Sequence, residues 1–363
     1  MGTDALRIDA DALTAFLAEV FHAAGCSTAE GMRIAENLVG ANLSGHDSHG
    51  VIRTPRYLGW LKTGNLVADR DVSAVSDAGA LMILDGQFGF GQTVGPQAVA
   101  RGIERAKDLG VAVVALRHAG HLGRIGAFAE TAAAENQVSV HFVNVAGSVL
   151  VAPFGGAERR MSTAPVAIGV PGAGGAPVIL DFATSLVAEG KVLVASKGGK
   201  PLPEGSLIGP DGRPSADPAM LYGPSDPAVQ PNSRNGAGAL VAMGGHKGSG
   251  LALMCELLAG ALTGSGATGP GDDKIYNGML SIYMSRDRFG AEDDYARELR
   301  RYVDYVKSAK PVAGGGEVLV PGEPEARMRR ARRKDGIPLA PDAWAAISGA
   351  GRDLGVTPPA PLS

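Results

Sequence analysis

The sequence predicts an α/β fold, and three observations carry that expectation. Short apolar runs of strand length stand at 81–84, 111–116, 138–143 and 177–181. Helical periodicity fills 95–109 and 123–135, between those runs, and Gly110 closes the first of these helices just before a strand. The stretch 81–116 therefore outlines a β-α-β unit.

Around that centre the chain reads as helical at both ends. Leu13, Phe16, Leu17, Val20 and Phe21 recur at helical spacing within 11–24, which Gly25 ends. A second helix opens at the capping box Ser27-x-x-Glu30 and runs to about Ser44. Residues 198–238 are rich in Gly, Pro, Ser, Asn and Asp and read as a long surface connection with a turn at Pro210-Asp211-Gly212. A helix follows at 247–263, with Leu251, Met254, Cys255, Leu258 and Leu262 as its apolar stripe. Helices are also expected at 294–309 and 324–334, the latter carrying six basic residues from Arg327 to Lys334 that read as a solvated face. Approximate units are a helical part over 1–75 packing with another over 290–363, around an α/β part over 76–289, with discontinuous domains.

Composition narrows the function. A 363-residue chain with 45% hydrophobic residues can bury large cores, and a net charge of −3 carries no electrostatic footprint for nucleic acid or an anionic membrane. The expected partners are a small molecule and copies of the chain itself. Cys26 and Cys255 stand too far apart in sequence for a disulfide framework or a zinc site, which fits a reducing cytoplasm. Asp9, Asp11 and Glu19 break the apolar run a signal peptide would need, and no stretch is long and apolar enough to span a bilayer.

The densest chemical cluster is His46-Asp47-Ser48-His49-Gly50-Val51-Ile52-Arg53. It holds an imidazole, a hydroxyl able to orient it or relay a proton, and a guanidinium that can grip a carboxylate through two points. Those are the parts needed to interconvert a 2-hydroxy acid and its 2-oxo acid; a polar turn capping a helix would use the same residues. No Gly-x-Ser-x-Gly elbow surrounds Ser48, which speaks against a hydrolase. A second cluster, Arg117-His118-Ala119-Gly120-His121-Leu122-Gly123-Arg124, sits where a strand gives way to a helix, a usual ligand edge in α/β sheets. No carboxylate or cysteine joins its histidines at ligand spacing, so no metal is expected.

Gly89-Phe90-Gly91-Gln92-Thr93-Val94-Gly95 approaches a dinucleotide fingerprint, but its last gap is one residue too long and the second strand ends at Arg117 rather than at an acid. The alternative is a glycine-rich turn that lets the chain pass close to its neighbour. Asp181-Phe182-Ala183-Thr184-Ser185 with Glu189-Gly190-Lys191, and Gly244-Gly245-His246-Lys247-Gly248 before a helix, complete the candidates. Lys247 could meet a phosphate there, although the pattern is not a Walker sequence.

Taken together these segments resemble the malate/L-lactate dehydrogenase family that is distinct from the Rossmann-type lactate dehydrogenases. The resemblance runs through Ser48-His49-Gly50-Val51 with Arg53 and Tyr57, His121-Leu122-Gly123-Arg124-Ile125-Gly126, Val151-Ala152-Pro153-Phe154-Gly155-Gly156, Asp181 to Ser185, His246-Lys247-Gly248 and Pro321-Gly322-Glu323. Val138 to Val145 and Gly336-Ile337-Pro338-Leu339 are most similar to its hydroxycarboxylate dehydrogenase B branch.

The resemblance implies a non-Rossmann, L-sulfolactate dehydrogenase-like α/β fold, with helical terminal parts around a central NAD(P)-binding domain, NAD or NADP as cofactor, and a homodimer. It implies His49 as acid/base with Ser48 as relay, His121 as a second candidate and Lys191 beside them. Arg53, Thr163, Glu189 and Gly190 would hold substrate. His121, Leu122, Gly123, Arg124, Ile125, Asp181, Phe182, Ala183, His246, Lys247, Pro321 and Gly322 would line the cofactor. Lys191 after Gly190 is similar to the hydroxy-acid members, whereas the cyclic-imine-reducing branch tends to carry Asp. Where relatives often read Gly-Thr-Asn-Pro, this chain has Ser162-Thr163-Ala164-Pro165, which removes an amide. The 223–238 segment also looks longer than in many relatives. A reductase of cyclic imino acids and a non-catalytic cofactor-binding protein on the same scaffold are the alternatives.

Overall fold

A computed structural model describes residues 5–172, 174–196, 201–224, 232–271, 274–290 and 292–362. The chain opens with strand β1 (Leu6–Ile8), then α1 (Ala10–Ala23) and α2 (Thr28–Leu43). Asp9 caps α1 by accepting from the amides of Asp11 and Ala12, and Gly25 takes the left-handed conformation that stops the helix. Helix α3 (Thr54–Lys62), unpredicted, follows two 3₁₀ turns.

The capping box on α2 forms by half. Ser27 Oγ accepts from the Glu30 amide at 3.2 Å, but Glu30 does not reach back. Its fully buried carboxylate instead accepts from the Asp69 amide (2.6 Å) and from Thr93 Oγ1 (2.8 Å). Glu30 thus ties α2 to the chain ahead of the sheet and to α4, and burial pushes its pKa up. Glu30→Ala is expected to lower stability by about 3 kcal/mol, because it leaves a cavity and two donors without an acceptor. A urea midpoint within error of the parent would refute that role.

Beyond α3 lie β2 (Ser73–Ala78), β3 (Leu81–Asp85), α4 (Gly91–Leu109), β4 (Val111–Ala119), α5 (Gly126–Ala134), β5 (Gln137–Ala146), β6 (Pro165–Val170), β7 (Val178–Ala183) and α6 (Glu189–Ser196). Next come β8 (Leu207–Ile208), β9 (Pro214–Ser215), α7 (Ala219–Tyr222), β10 (Ala239–Leu240), α8 (His246–Cys255) with a π-helical turn (Glu256–Ala261), and β11 (Tyr276–Ser285). Helix α9 (Glu292–Lys307), α10 (Glu323–Asp335), β12 (Ile337–Leu339) and α11 (Pro341–Asp353) complete the chain. Strands order as β2-β3-β4-β11-β5-β6-β7 in one seven-stranded sheet. Only β3 and β4 run parallel, so the expected β-α-β unit is present while every other neighbour pair is antiparallel.

β11 occupies the sheet centre although no pattern announced it. It is buried along nearly its whole length between β4 and β5, so it shows no apolar/polar alternation, and Asn277, Gly278 and Ser281 interrupt any apolar run. The terminal helices share a separate core in which Phe16, Phe21, Leu38 and Tyr57 pack with Trp344 and Ile347. β1 pairs with β12, joining the two ends of the chain.

The near-fingerprint before α4 is a packing turn. The amides of Gly86 and Phe88 donate to the carbonyls of Arg117 and His118, at 2.8 and 2.7 Å, and the Gly89 carbonyl accepts from the Gly120 amide at 2.8 Å. Those groups are already satisfied within the protein and do not form a phosphate cradle.

Three expectations need correction. The 198–238 stretch is more than a coil: β8, β9 and β10 form a three-stranded sheet, and Leu207, Leu221, Tyr222 and Leu240 enter a third core. Within it, 197–200 and 225–231 lie outside the described residues, including much of the 223–238 segment. The α8 stripe is only partly the inner face: Cys255 is buried and Leu251 packs on the third core, but Met254 and Leu262 are exposed along with Leu253 and Leu257, and Ala252, Ala259 and Gly260 are buried instead. Small residues face inward because the helix lies close against β5 and β6. Finally, the basic helix α10 is not simply solvated. Arg329 pairs with Glu130 (3.0 Å), Arg332 with Asp47 (3.0 Å) and Arg333 with Asp11 (2.6 Å), joining α10 to α5, to the turn that carries His49 and to α1.

Candidate active site

The turn 47–53 is fixed from two sides. Asn42, buried in α2, accepts from the Val51 amide (2.8 Å) and donates to Asp47 (2.6 Å), while Arg332 of α10 holds the same Asp47. Gly50 makes this possible, since a Cβ there would lie 2.0 Å from Asn42 Oδ1. Within the turn Ser48 Oγ sits 3.0 Å from His49 Nδ1, and Arg53 donates its Nε–H to the Ser48 carbonyl at 2.6 Å. The Ser48 hydroxyl can donate to Nδ1 or accept from it, so it supports both the neutral and the protonated ring of His49.

His121 reaches the same place from the loop after β4, its ring stacked on that of His49 with centroids 5.5 Å apart. Tyr57 OH lies 2.6 Å from His121 Nδ1, and Gln92 Nε2 donates to the Tyr57 oxygen at 3.2 Å. Burial pushes the Tyr57 hydroxyl up to about 12, so it stays protonated, and with Gln92 donating into its oxygen the hydroxyl hydrogen is directed to Nδ1 as a hydrogen-bond donor. Neutral His121 therefore carries its proton on Nε2 and is a hydrogen-bond donor. The two histidines differ accordingly: Tyr57 holds His121 in one tautomer, whereas Ser48 leaves His49 free to change state. Loss of water at the cavity floor, followed by the charge of Arg53, pushes the His49 pKa down to about 3 and moves His121 in the same direction.

These groups floor a cavity of about 620 Å³. Ser48, His49, Arg53 and His121 line it with Gly123, Arg124 and Ile125 from the loop before α5, Thr163, and Asp181, Phe182 and Ala183 of β7. Glu189, Gly190 and Lys191 enter from the start of α6. Gly190 passes so close to the turn that a Cβ would lie 2.5 Å from Ser48 Cβ. Gly190→Ala is accordingly expected to shift Ser48 and cut kcat/KM by about 10²-fold, with a stability change of no more than about 1–3 kcal/mol. Activity at the parent level would show that the turn yields without consequence.

Other expected residues do not line this cavity. Leu122 is buried in the sheet core, where its amide donates to Asn277 Oδ1 at 2.9 Å. His246 and Lys247 are exposed at the start of α8, with His246 edge-on to Phe154. Pro321 and Gly322 lie against the first half of β7, the Pro321 carbonyl accepting from the Ile179 amide at 3.1 Å. Conversely, Arg56, Trp60, Asn277, Ser233 and Arg234 line the cavity without having been singled out. Arg56 carried a local signal, three residues beyond Arg53, and Ser233 and Arg234 fall in the 223–238 segment whose length marked it as able to reshape the site mouth.

Around Ala164 the neighbouring residues are held within the protein. Ser162 Oγ donates to the buried Glu256 at 2.8 Å, and the Thr184 amide donates to the Thr163 carbonyl at 3.0 Å. Toward β7, Arg124 is buried and pairs through Nη2 with Glu130, while its Nη1 has no partner among the described residues, and Asp181 Oδ2 accepts from the Gly126 amide at 2.8 Å. A Cβ on Gly126 would lie 2.7 Å from both Arg124 Nη1 and Asp181 Oδ2. The spare Nη1 group of that ion-paired guanidinium, beside a carboxylate, suits a dinucleotide, which offers phosphate or amide oxygens to the one and hydroxyl or amide donors to the other.

Two imidazoles and a guanidinium meet in one cavity, and comparison with known proteins gives the family. The sequence pattern of the malate/L-lactate dehydrogenase family matches residues 8–348. Hydroxycarboxylate dehydrogenase B of Escherichia coli strain K12 is 39% identical over 355 residues, covering 96% of this chain and 95% of its own. The solved sulfolactate dehydrogenase of Methanocaldococcus jannaschii superposes with a TM-score of 0.83 at 30% identity, over 97% of this chain and 98% of that one. A Delta(1)-pyrroline-2-carboxylate/Delta(1)-piperideine-2-carboxylate reductase of Pseudomonas syringae pv. tomato is 33% identical over 333 residues, 89% of this chain and 90% of its own. The chain belongs to the malate/L-lactate dehydrogenase family.

Proposed function

We propose that this protein interconverts a small 2-oxo acid and its 2-hydroxy acid with NAD or NADP. The observation that carries this reading is the convergence of the Ser48-supported His49, the donor His121 and the guanidinium of Arg53 in one cavity. Arg53 takes the substrate carboxylate. His121, fixed as a donor by Tyr57, orients the substrate oxygen. His49 removes the hydroxyl proton in oxidation and returns it in reduction, with Ser48 stabilising either form. The bound nicotinamide supplies the carbon that accepts or gives the hydride. Arg124 and Asp181, with Gly123, Ile125, Phe182 and Ala183, would hold that cofactor.

The depressed pKa of His49 has a directional consequence. At neutral pH the imidazole is unprotonated, ready as a base and short of the proton that reduction needs. From about pH 5 to 9, kcat/KM for reduction is expected to fall roughly tenfold per pH unit, while kcat/KM for oxidation stays flat, because both report the free enzyme. A reduction profile that is level over that span would remove His49 from the proton path.

A panel of 2-oxo acids with NADH and with NADPH, beside pyrroline-2-carboxylate, tests the assignment. Turnover confined to the cyclic imine would favour the reductase alternative, against which Lys191 weighs. Tight cofactor binding without any turnover would make the chain a binding protein. We also assign a homodimer to the exposed apolar face of Leu253, Met254, Leu257 and Leu262. The buried, unpaired thiols of Cys26 and Cys255 suit a reducing compartment such as the cytoplasm. Among the described residues no helix is long and apolar enough to cross a membrane.

A further inference from the structure

Arg159, in the loop between β5 and β6, gives its guanidinium to one stretch of chain. Its Nε donates to the Gly238 carbonyl (2.5 Å), Nη1 to Ser233 (2.5 Å), and Nη2 to Gly236 (2.6 Å) and Leu221 (3.3 Å). Among the described residues no carboxylate pairs with it. Four hydrogen bonds from one rigid guanidinium, three of them to backbone carbonyls between 233 and 238 and one to that of Leu221, are a means of imposing one conformation on that stretch. The stretch is also pressed close to its neighbours: a Cβ on Gly236 would lie 2.4 Å from the Met220 carbonyl, and one on Gly238 would lie 2.5 Å from that of Ile208.

What the clamp holds is part of the cavity. Ser233 and Arg234 line it, and Arg234 donates to the Gly147 carbonyl at 2.8 Å, joining this stretch to the 147–150 loop, which lines the cavity too. Leu221, whose carbonyl the clamp also takes, precedes Tyr222, which donates to the cavity residue Glu189 at 3.2 Å. One side chain outside the cavity thus governs the placement of three polar groups around it.

We propose that Arg159 is a positioning residue for substrate selection: by holding 232–238 in place it makes Ser233 and Arg234 a polar wall for the end of the 2-oxo acid away from the carboxylate gripped by Arg53. The inference rests on the function proposed above. It implies a preference for 2-oxo acids with a polar side-chain end over those with an alkyl end of similar length.

The test compares Arg159→Gln, Arg234→Ala and the double variant in the full-length protein. Each single variant is expected to raise KM for the polar-ended acid and lower the polar-over-alkyl ratio of kcat/KM by about tenfold. Cofactor Kd, read by fluorescence titration, and kcat should stay within about threefold. The double variant should be no worse than either single one, because both changes remove the same wall. Amide exchange over 232–238 should quicken in Arg159→Gln and stay slow elsewhere. An unchanged ratio in Arg234→Ala, additive losses in the double variant, or a parallel fall in kcat, cofactor affinity and thermal stability would each overturn the proposal. If the unaltered enzyme turned over no 2-oxo acid, the functional reading would fail first and this inference with it. Normal turnover with unaltered selectivity in the variants would sink the clamp alone.

Discussion

His49→Ala is expected to lower kcat by about two to four orders of magnitude in both directions while cofactor affinity stays near that of the parent, the usual span for a lost general acid/base. The geometry makes this the most sensitive single substitution. Tyr57 and Gln92 commit His121 to one tautomer, so it cannot readily take over proton transfer. Ser48→Ala should cost less, since it removes the support of the ring and not the ring. His49→Ala should also flatten the pH dependence of reduction. Stopped-flow turnover beside a cofactor titration decides the matter, and a variant with near-normal kcat would transfer the acid/base role to His121.

Arg53 separates an acid-specific enzyme from a general carbonyl reductase. Arg53→Ala should reduce kcat/KM for 2-oxo acids by about thirtyfold to several-thousandfold, the equivalent of about 2–5 kcal/mol for truncating one partner of a charge pair in a desolvated site. Arg53→Lys should recover little of this, because an ammonium keeps the charge but not the two-point fork, and cannot reproduce the Nε–H bond to the Ser48 carbonyl. Turnover of a ketone that lacks a carboxylate should change far less, by no more than the loss of the bond to the Ser48 carbonyl and of the Arg53 charge beside His49 brings about. Equal losses on both substrate types would mean that Arg53 acts by holding the Ser48–His49 turn and not by gripping substrate.

How much was legible from sequence differs from element to element. The residues of 46–53 were legible because their chemistry is packed into eight consecutive positions, and a local constellation survives folding intact. The strands later found as β3, β4, β5 and β7 showed as apolar runs, and Gly110 marked the end of α4 by the left-handed conformation a helix stop requires. The 251–262 stripe misled because helical periodicity identifies an apolar face without saying whether this chain covers it. Pro321 and Gly322 were carried by resemblance, and His246 and Lys247 also by their place in a glycine-rich helix start; none of the four lines the cavity that most other candidates share.

By itself, then, the sequence determined the α/β class, the terminal helices, the Ser48–His49–Arg53 cluster and the failure of a dinucleotide fingerprint at 89–95, all of which follow from interactions within a few residues. Tertiary structure alone decided that β11 fills the sheet centre, and that Asn277 on it supports the His121 loop from 155 positions away. It also decided that Glu30 is a buried tie and not half of a capping box, and that Arg332 in the basic helix braces the turn that carries His49. The physical reason is common to these cases. A backbone period or a cap is set by neighbours along the chain, whereas the partner that satisfies a buried polar group is chosen only when distant segments pack, and many sequences could supply it.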